Sequence, residues 1–306
     1  MAPVSTADPV ALRNGRGLAL MAAGMFLFSA VDTQAKFLTE TMHPVQIVWI
    51  RQLGLLIAAL VLIVLKGPQL LATTSPGMQI ARGACAAASA TIFIFAVSYI
   101  PLADAVAISF VAPFIVTIMA AFLLREPVGM RRWIAVGAGF LGTLVVIRPG
   151  FGVMHPAALL VIVAATLFSV RQIISRALSR TDKTATTIAY TAFVGSAVLT
   201  IPLPFIWRWP ETGLEIALCV SIAVLAALAE LCVIKSLEIA LAVVVAPVQY
   251  SLIIWGTMYG YLVFGQFPDG WTWVGTAIII GTGLYMLHRE QLAKRRAAAG
   301  QNGAMS

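Results

Sequence analysis

Charged residues are scarce in this sequence. Aspartate, glutamate, lysine and arginine make up 10% of the 306 residues, whereas 60% are hydrophobic. An ordinary soluble domain carries about 25% charged residues. A water-soluble fold cannot cover so much apolar surface with so few charges. The shortage of charge therefore excludes a soluble globular domain and indicates an integral membrane protein.

Cysteine and histidine are also few, with three of each. The cysteines lie inside apolar stretches without a CxxC pair, which argues against a disulfide framework and a zinc site. The histidines lie near predicted helix ends, and the sequence has no HExxH motif, nucleophile elbow or phosphate-binding GxxxxGK[ST] loop. We therefore expect no catalytic residue, no metal site and no cofactor, and hence neither an enzyme nor a nucleotide-driven pump.

Basic residues exceed acidic ones, with a net charge of +8. They form no stripe with interleaved aromatics, so nucleic acid is not an expected partner. If the N-terminus is cytoplasmic, fourteen lysines and arginines lie in cytoplasmic segments and only Arg148 and Arg208 lie outside. This positive-inside bias predicts a bacterial inner-membrane protein with an even number of spans and both termini cytoplasmic.

Ten apolar stretches are each long enough to cross a hydrocarbon layer about 30 Å thick. The sequence therefore predicts an all-α integral membrane fold with ten transmembrane helices. The predicted spans are residues 17–38, 44–65, 78–99, 102–124, 131–148, 156–177, 185–207, 214–236, 240–264 and 270–288.

The second half of the chain repeats features of the first at a shift of 140 residues. Leu27, Phe28 and Ser29 recur as Leu167, Phe168 and Ser169, and Trp133 recurs as Trp273. Five spans per repeat is an odd number, so the two halves insert with opposite orientation, as in many alternating-access transporters. The predicted segments are 1–14 (cytoplasmic), 15–150 (first repeat), 151–288 (second repeat) and 289–306 (basic cytoplasmic tail).

Two stretches carry a family resemblance. Residues 98–150, SYIPLADAVAISFVAPFIVTIMAAFLLREPVGMRRWIAVGAGFLGTLVVIRPG, and the later run VAPVQYSLIIWGTMYGYLVFGQFPDGWTWVGTAIIIGTGLY resemble the EamA-type family of the drug/metabolite transporter superfamily. The resemblance covers roughly residues 15–288. It implies two inverted five-helix repeats, a central cavity lined chiefly by spans 1, 3, 4, 6, 8 and 9, and transport of small metabolites. Gln266 departs from the pattern, because a glutamate is usual there.

The functional hypothesis is a secondary transporter that moves a small polar organic metabolite by alternating access. The resemblance implies an amino acid, a vitamin such as riboflavin, or a nucleotide-like compound. The alternatives are a membrane-embedded enzyme and a non-transporting receptor or scaffold. The expected partners are the solute and the lipid bilayer; a proton is a candidate co-substrate, and both a monomer and a homodimer fit the sequence.

Charged residues within the spans are candidates for solute or proton binding because they are costly in a membrane and usually face the protein interior. Asp32 and Lys36 lie four residues apart on one helix and can pair. Arg51 either binds a solute carboxylate or neutralises Asp32. Glu230 either carries a proton or forms a salt bridge to Lys235 or Arg171. Arg82 and Arg171 lie near cytoplasmic helix ends, where long side chains reach the headgroups.

Two prolines interrupt predicted spans in similar VAP contexts. Pro113 and Pro247 each remove a backbone hydrogen bond, and interrupted helices in two halves point to a midplane binding site. A kink that aids packing is the alternative. Near these breaks the aromatic rings could stack on a solute and Gln249 could hydrogen-bond it, although such aromatics also face lipid or neighbouring helices. The aromatic candidates are Phe110, Phe114, Tyr250 and Trp255.

Overall fold

The computed structural model describes residues 9–123, 129–148, 155–179, 181–240 and 242–303, which form helices joined by short loops. No β-strand occurs in these ranges. The helices are α1 (Pro9–Leu38), α2 (Pro44–Lys66), α3 (Pro76–Val97), α4 (Leu102–Ser109), α5 (Ala112–Leu123), α6 (Met130–Ile147), α7 (Ala157–Leu178), α8 (Thr184–Thr200), α9 (Leu203–Ile206), α10 (Gly213–Ile239), α11 (Ala242–Val245), α12 (Ser251–Phe264) and α13 (Gly270–Gly303). Pro68–Leu71 and Ala246–Tyr250 form 3-10 turns.

Six segments of the described chain are long and apolar enough to cross a membrane. They are Asn14–Leu38, Pro44–Lys66, Pro76–Val97, Leu102–Leu123, Ala157–Leu178 and Gly213–Ile239. Trp133–Ile147 and Thr184–Thr200 are shorter apolar helices. Large apolar side chains face outward, for example Val64 at 83% exposure, which suits a lipid-facing surface. The structure thus confirms an all-helical, multi-pass membrane protein, whereas the count of ten spans remains a prediction.

The helices run back and forth between two ends of a bundle. We call the end where α1 begins the proximal end, and the end where α1 finishes the distal end. At the proximal end the Ser236 hydroxyl donates to the Gly17 carbonyl at 2.6 Å, tying α10 to α1. At the distal end the Gln46 amide donates to the Arg208 carbonyl at 2.7 Å, joining α2 to the loop after α9.

Helix packing follows the internal repeat. Helix α1 packs on α10 as its counterpart α7 packs on α3, and α2 packs on α10 as α8 packs on α3. Helix α1 also packs on α12 as α7 packs on α5, while α2 pairs with α8 and α6 with α13, each with its own counterpart. Exchanging the two halves therefore leaves the pattern of major helix contacts unchanged. This is the packing expected of two copies of one unit.

One close helix contact occurs in both halves. A Cβ atom on Gly54 of α2 would lie 1.9 Å from the carbonyl oxygen of Ala223 on α10. A Cβ atom on Gly83 of α3 would lie 2.8 Å from the Cβ of Val194 on α8. Positions 54 and 194, and 83 and 223, are each 140 residues apart. Equivalent helices thus cross closely in both halves, but the glycine lies on α2 in the α2–α10 crossing and on α3 in the α3–α8 crossing.

The interruptions predicted at both prolines are present. Helix α4 ends at Ser109 and α5 begins at Ala112. Pro113 lies in the first turn of α5, where a backbone N–H has no acceptor within the helix, so its missing N–H costs no helical hydrogen bond. Pro247 lies in the 3-10 turn between α11 and α12. The two prolines are not equivalent by the 140-residue shift. Phe110 and Tyr250 are equivalent, and each lies at the break of its own half.

Two segment boundaries predicted from the sequence have different outcomes. The boundary between the repeats, near residue 150, lies outside the described residues. The tail boundary at residue 288 does not coincide with a helix end, because α13 continues to Gly303. The backbone hydrogen bonds of a helix form within the helix itself, whether lipid or water surrounds it. Helix α13 can therefore continue from the apolar sequence into the basic sequence without a break.

Asp182 joins two proximal loops. It accepts hydrogen bonds from the Thr73 hydroxyl and, at 2.6 Å, from the Gln79 amide, so it links the start of α3 to the loop before α8. These hydrogen bonds, from Thr73 first and Gln79 second, hold the pKa of Asp182 below its ordinary value because they favour the charged carboxylate.

This loop contact makes a prediction about pH. A lowered folded-state pKa means that the stabilisation is fully present above the ordinary value of about 3.9 and is lost as the pH falls below it. Asp182→Asn is therefore expected to lower the thermal midpoint of purified protein at pH 7 and to have less effect at pH 3. An equal decrease at both pH values would show that the charge of Asp182 contributes nothing.

Candidate functional site

Asp32 pairs with Arg51 and not with Lys36. The Arg51 Nη1 lies 3.3 Å from the Asp32 Oδ1, and the Asp32 carboxylate is almost fully buried. The Lys36 amine instead donates to the Ile100 carbonyl at 2.6 Å. The pairing expected between Asp32 and Lys36 is thus wrong: the long lysine reaches the distal turn between α3 and α4, and α2 brings a cation closer to Asp32. Of the two hypotheses for Arg51, the structure favours neutralisation of Asp32.

Arg82 joins three helices. Its Nε donates to the Ser175 hydroxyl of α7 at 2.7 Å, and its Nη1 donates to the Thr191 hydroxyl of α8. The expectation that Arg82 reaches the headgroups is therefore not met. Helices α7 and α8 both pack on α3 and supply oxygen acceptors that bind this guanidinium within the bundle.

Arg171 lies on α7 and Glu230 on α10, and both residues are half-buried. Arg171 lies within electrostatic range of Glu230 and of Arg51 on α2. Arg82 on α3 lies within electrostatic range of both Arg171 and Glu230. The Arg171 Cζ lies 4.6 Å from the Phe168 ring centre. The bridge suggested between Glu230 and Lys235 is not formed, because the Lys235 amine is 2.7 Å from Glu238. One turn of helix separates these last two side chains, so they meet on one face.

Two candidate aromatics meet each other at the helix breaks. The rings of Phe110 and Tyr250 stack with centres 4.8 Å apart and planes at 29°. Tyr250 is also held tightly by α13, since a Cβ on Gly283 would lie 1.8 Å from its hydroxyl oxygen. Phe114 is fully buried, and its ring packs against Gly139 of α6. We therefore place Phe114 in the helix packing and the Phe110–Tyr250 pair at the junction of the two broken helices.

A second aromatic group lies between α1 and α12. Trp255 meets Phe26 edge to face with centres 5.2 Å apart, and Tyr259 lies 5.6 Å from the same phenylalanine. Around it are buried polar atoms without a hydrogen-bond partner in the described chain. They are the hydroxyls of Ser29, Ser251 and Thr257 and the indole N–H of Trp255. Such atoms are costly unless something bonds them, so this region can accept a polar ligand.

The two prolines and Gln249, also candidates from the sequence, are not fully buried. Pro113 and Gln249 are exposed, and Pro247 is half-buried. Sequence reasoning did not select Phe26, Ser29 or Arg171 as site residues. Ser29 and its counterpart Ser169 were visible as part of the internal repeat, and that was the available signal. No group of three metal-ligating side chains occurs in the parts of the chain that the structure describes.

Polar contacts close the distal end beyond this region. The Arg148 guanidinium lies 2.6 Å from the Asp269 carboxylate, and the Thr272 hydroxyl donates to Asp104 at 3.0 Å. We call these two contacts the distal clasp; they join α4, α6 and the start of α13. Burial alone would raise the pKa of Asp269, but bonds from Thr272 and the charge of Arg148 outweigh it and lower that pKa. The Asp269 carboxylate is therefore charged at neutral pH.

Comparison with known proteins supports the family and the fold. Residues 15–148 match the model of the EamA-like transporter family. The S-adenosylmethionine uptake transporter of Rickettsia felis is 27% identical over 282 residues, covering 90% of this chain and 96% of the relative. The riboflavin transporter of Brucella anthropi is 29% identical over 290 residues, covering 90% of this chain and all of the relative. A crystal structure with 15% identity aligns over 91% of this chain with a TM-score of 0.61, which shows the fold alone.

The chain is a membrane transporter, and the predicted class of a transporter rather than an enzyme is confirmed. Its first half is similar to the EamA-like transporter family, and relatives aligned over 90% of the chain are transporters of small metabolites, as the sequence motifs indicated.

Proposed function

We propose that this protein works by alternating access in a bacterial inner membrane, with ten spans arranged as two inverted five-helix repeats and both termini cytoplasmic. The observation that carries the proposal is the exchange symmetry of the helix contacts, which includes the stacked pair Phe110 and Tyr250 at the two breaks. Two similar halves that meet at interrupted helices can rock about the junction and expose one site to each side in turn.

The two ends of the bundle have different closing contacts in this mechanism. The distal clasp joins α4, α6 and α13, whereas Arg82 and Asp182 join α3 to α7 and α8 at the proximal end. Opening either end requires its own set of polar contacts to separate. The central site then lies between the two sets, among α1, α7, α10 and α12.

The substrate we propose is a small polar metabolite that carries a planar heteroaromatic ring. Relatives include transporters named for S-adenosylmethionine and for riboflavin, and both compounds contain such a ring. Support comes from the group formed by Phe26, Trp255 and Tyr259, which offers ring faces and edges for stacking. The unpartnered hydroxyls of Ser29 and Thr257 supply hydrogen bonds to polar atoms of the ring.

A transport assay tests the proposal. Purified protein in proteoliposomes is expected to take up radiolabelled S-adenosylmethionine or riboflavin above the level of empty vesicles, with saturation and competition by unlabelled compound. Trp255→Ala is expected to weaken transport up to about tenfold because one aromatic contact contributes about 0.5–1.5 kcal/mol. Trp209→Ala is the matched control, since that ring is 74% exposed at the distal surface.

Absence of transport of both compounds, under every ion gradient and in both orientations, would contradict the proposed substrate class. The topology is tested separately by labelling single-cysteine variants from each side of the membrane. A terminus labelled only from the external side would overturn the proposed orientation.

A further inference from the structure

We propose that Arg171 and Glu230 together receive the α-amino acid group of a zwitterionic substrate, Arg171 holding the carboxylate and Glu230 the ammonium. This inference rests on the proposed transport function and deepens it by naming the substrate class of the same site. It distinguishes a compound such as S-adenosylmethionine, which carries an α-amino acid group, from riboflavin, which does not.

The first observation is that the Arg171 guanidinium has no hydrogen-bond acceptor among the described residues. Its Nε is buried without a partner, and its planar group lies against the Phe168 ring with the Cζ 4.6 Å from the ring centre. A guanidinium carries five N–H donors. Leaving the buried Nε–H unbonded is costly, whereas a carboxylate can accept two guanidinium N–H groups side by side.

The second observation is the position of the nearest acid. Glu230 is within electrostatic range of Arg171, yet no nitrogen of Arg171 lies within 4.0 Å of its carboxylate. Glu230 also forms no hydrogen bond or ion pair with the described side chains, and Lys235, five residues further along α10, pairs with Glu238. Arg171 on α7 and Glu230 on α10 thus carry opposite charges within electrostatic range of each other and form no ion pair.

Neighbouring contacts show that this gap is not a general feature of the charged interior. Asp32 and Arg51 approach to 3.3 Å, and Arg82 is bonded to Ser175, one turn from Arg171 on α7. The polar contacts on either side are closed, so the helices can bring charges together where no ligand has to enter. Arg171 and Glu230 are left with the two opposite charges that a zwitterion needs.

The aromatic group completes the recognition. Glu230 lies on α10 one turn from Val233, which packs with Phe28 and Trp255 in the same apolar cluster. A substrate whose amino acid group binds Arg171 and Glu230 can therefore extend its ring toward Trp255. The charged pair selects the amino acid group, and the aromatic group selects the ring.

Ligand discrimination tests this assignment. Binding of S-adenosylmethionine and of decarboxylated S-adenosylmethionine, which lacks only the carboxylate, is measured by isothermal titration on the purified transporter. The wild-type protein is expected to bind the former at least about 30-fold more tightly, since losing one partner of a buried bonded charge pair costs that much or more. Arg171→Gln is expected to bind both compounds about equally and weakly, and Arg171→Lys to recover part of the preference.

Glu230→Gln is expected to weaken S-adenosylmethionine binding while keeping some preference for the carboxylate. Lys235→Gln is the control, because it removes one exposed positive charge from the same helix as Glu230. A merely structural role for Arg171 would lower folded yield without changing the ratio between the two ligands. Size-exclusion profiles of all variants establish that they are folded.

Three results would overturn the inference. They are an unchanged preference in Arg171→Gln, no preference in the wild-type protein, or binding and transport of riboflavin without S-adenosylmethionine. In the last case the proposed transport function stands and only the zwitterion assignment falls. Absence of both binding and transport for every compound would instead remove the proposed function itself.

Discussion

Replacing Gly54 by alanine is expected to destabilise the protein strongly. The added methyl group would lie 1.9 Å from the Ala223 carbonyl oxygen, and a backbone atom of α10 cannot move aside without moving the helix. Overpacking of this kind costs about 1–3 kcal/mol or more. We expect a lower thermal midpoint and a smaller monodisperse fraction after extraction in detergent.

Two other glycines serve as controls for that experiment. Gly83→Ala meets a Val194 side chain at 2.8 Å, so a smaller loss is expected, because a side chain adjusts more easily than a backbone carbonyl. Gly137 of α6 has no heavy atom within 4 Å of the added group, and Gly137→Ala is expected to be neutral or slightly stabilising. Equal midpoints for Gly54→Ala and Gly137→Ala would show that α2 and α10 do not cross as described.

Breaking the Asp32–Arg51 pair is expected to have a similarly large effect. Asp32→Asn leaves the Arg51 guanidinium, only 23% exposed, without its carboxylate. Removing one partner of a buried ion pair costs about 3–5 kcal/mol, because the other charge remains in a poorly solvating interior. Thermal unfolding of Asp32→Asn should therefore occur well below that of the wild-type protein.

The double variant separates charge imbalance from the loss of the contact. Asp32→Asn combined with Arg51→Gln removes both charges and is expected to recover much of the stability lost in Asp32→Asn alone. Glu238→Gln breaks an ion pair of comparable length whose side chains are more than half exposed, so little change is expected there. Additive losses in the Asp32 and Arg51 double variant would mean that the two residues do not interact.

Much of the fold followed from local features of the sequence. Hydrophobic stretch length predicted the membrane class, and the prolines predicted breaks that the structure places at residues 110–111 and 246–250. These features can be predicted from the sequence because each segment that crosses lipid must be apolar and must satisfy its own backbone hydrogen bonds. The exact helix boundaries were less accessible, as the uninterrupted run of α13 into the basic tail illustrates.

The candidate site was only partly predictable. Asp32, Arg51, Glu230 and Trp255 were selected because charges and aromatics are conspicuous in apolar spans. Phe114 was selected for the same reason, yet the structure buries it against Gly139. Helical spacing shows which residues share a face but not which neighbouring helix that face meets, so a packing aromatic and a binding aromatic look alike in sequence.

Sequence alone determined that this is a membrane protein, that it is helical and that it is related to transporters, because composition and motifs are properties of each segment. Tertiary structure decided which charges are satisfied. Lys36 lies four residues from Asp32 but bonds to Ile100, while Arg51, from another helix, takes its place. Electrostatic energy depends on distance in space and on local solvation, and packing the two halves together sets both.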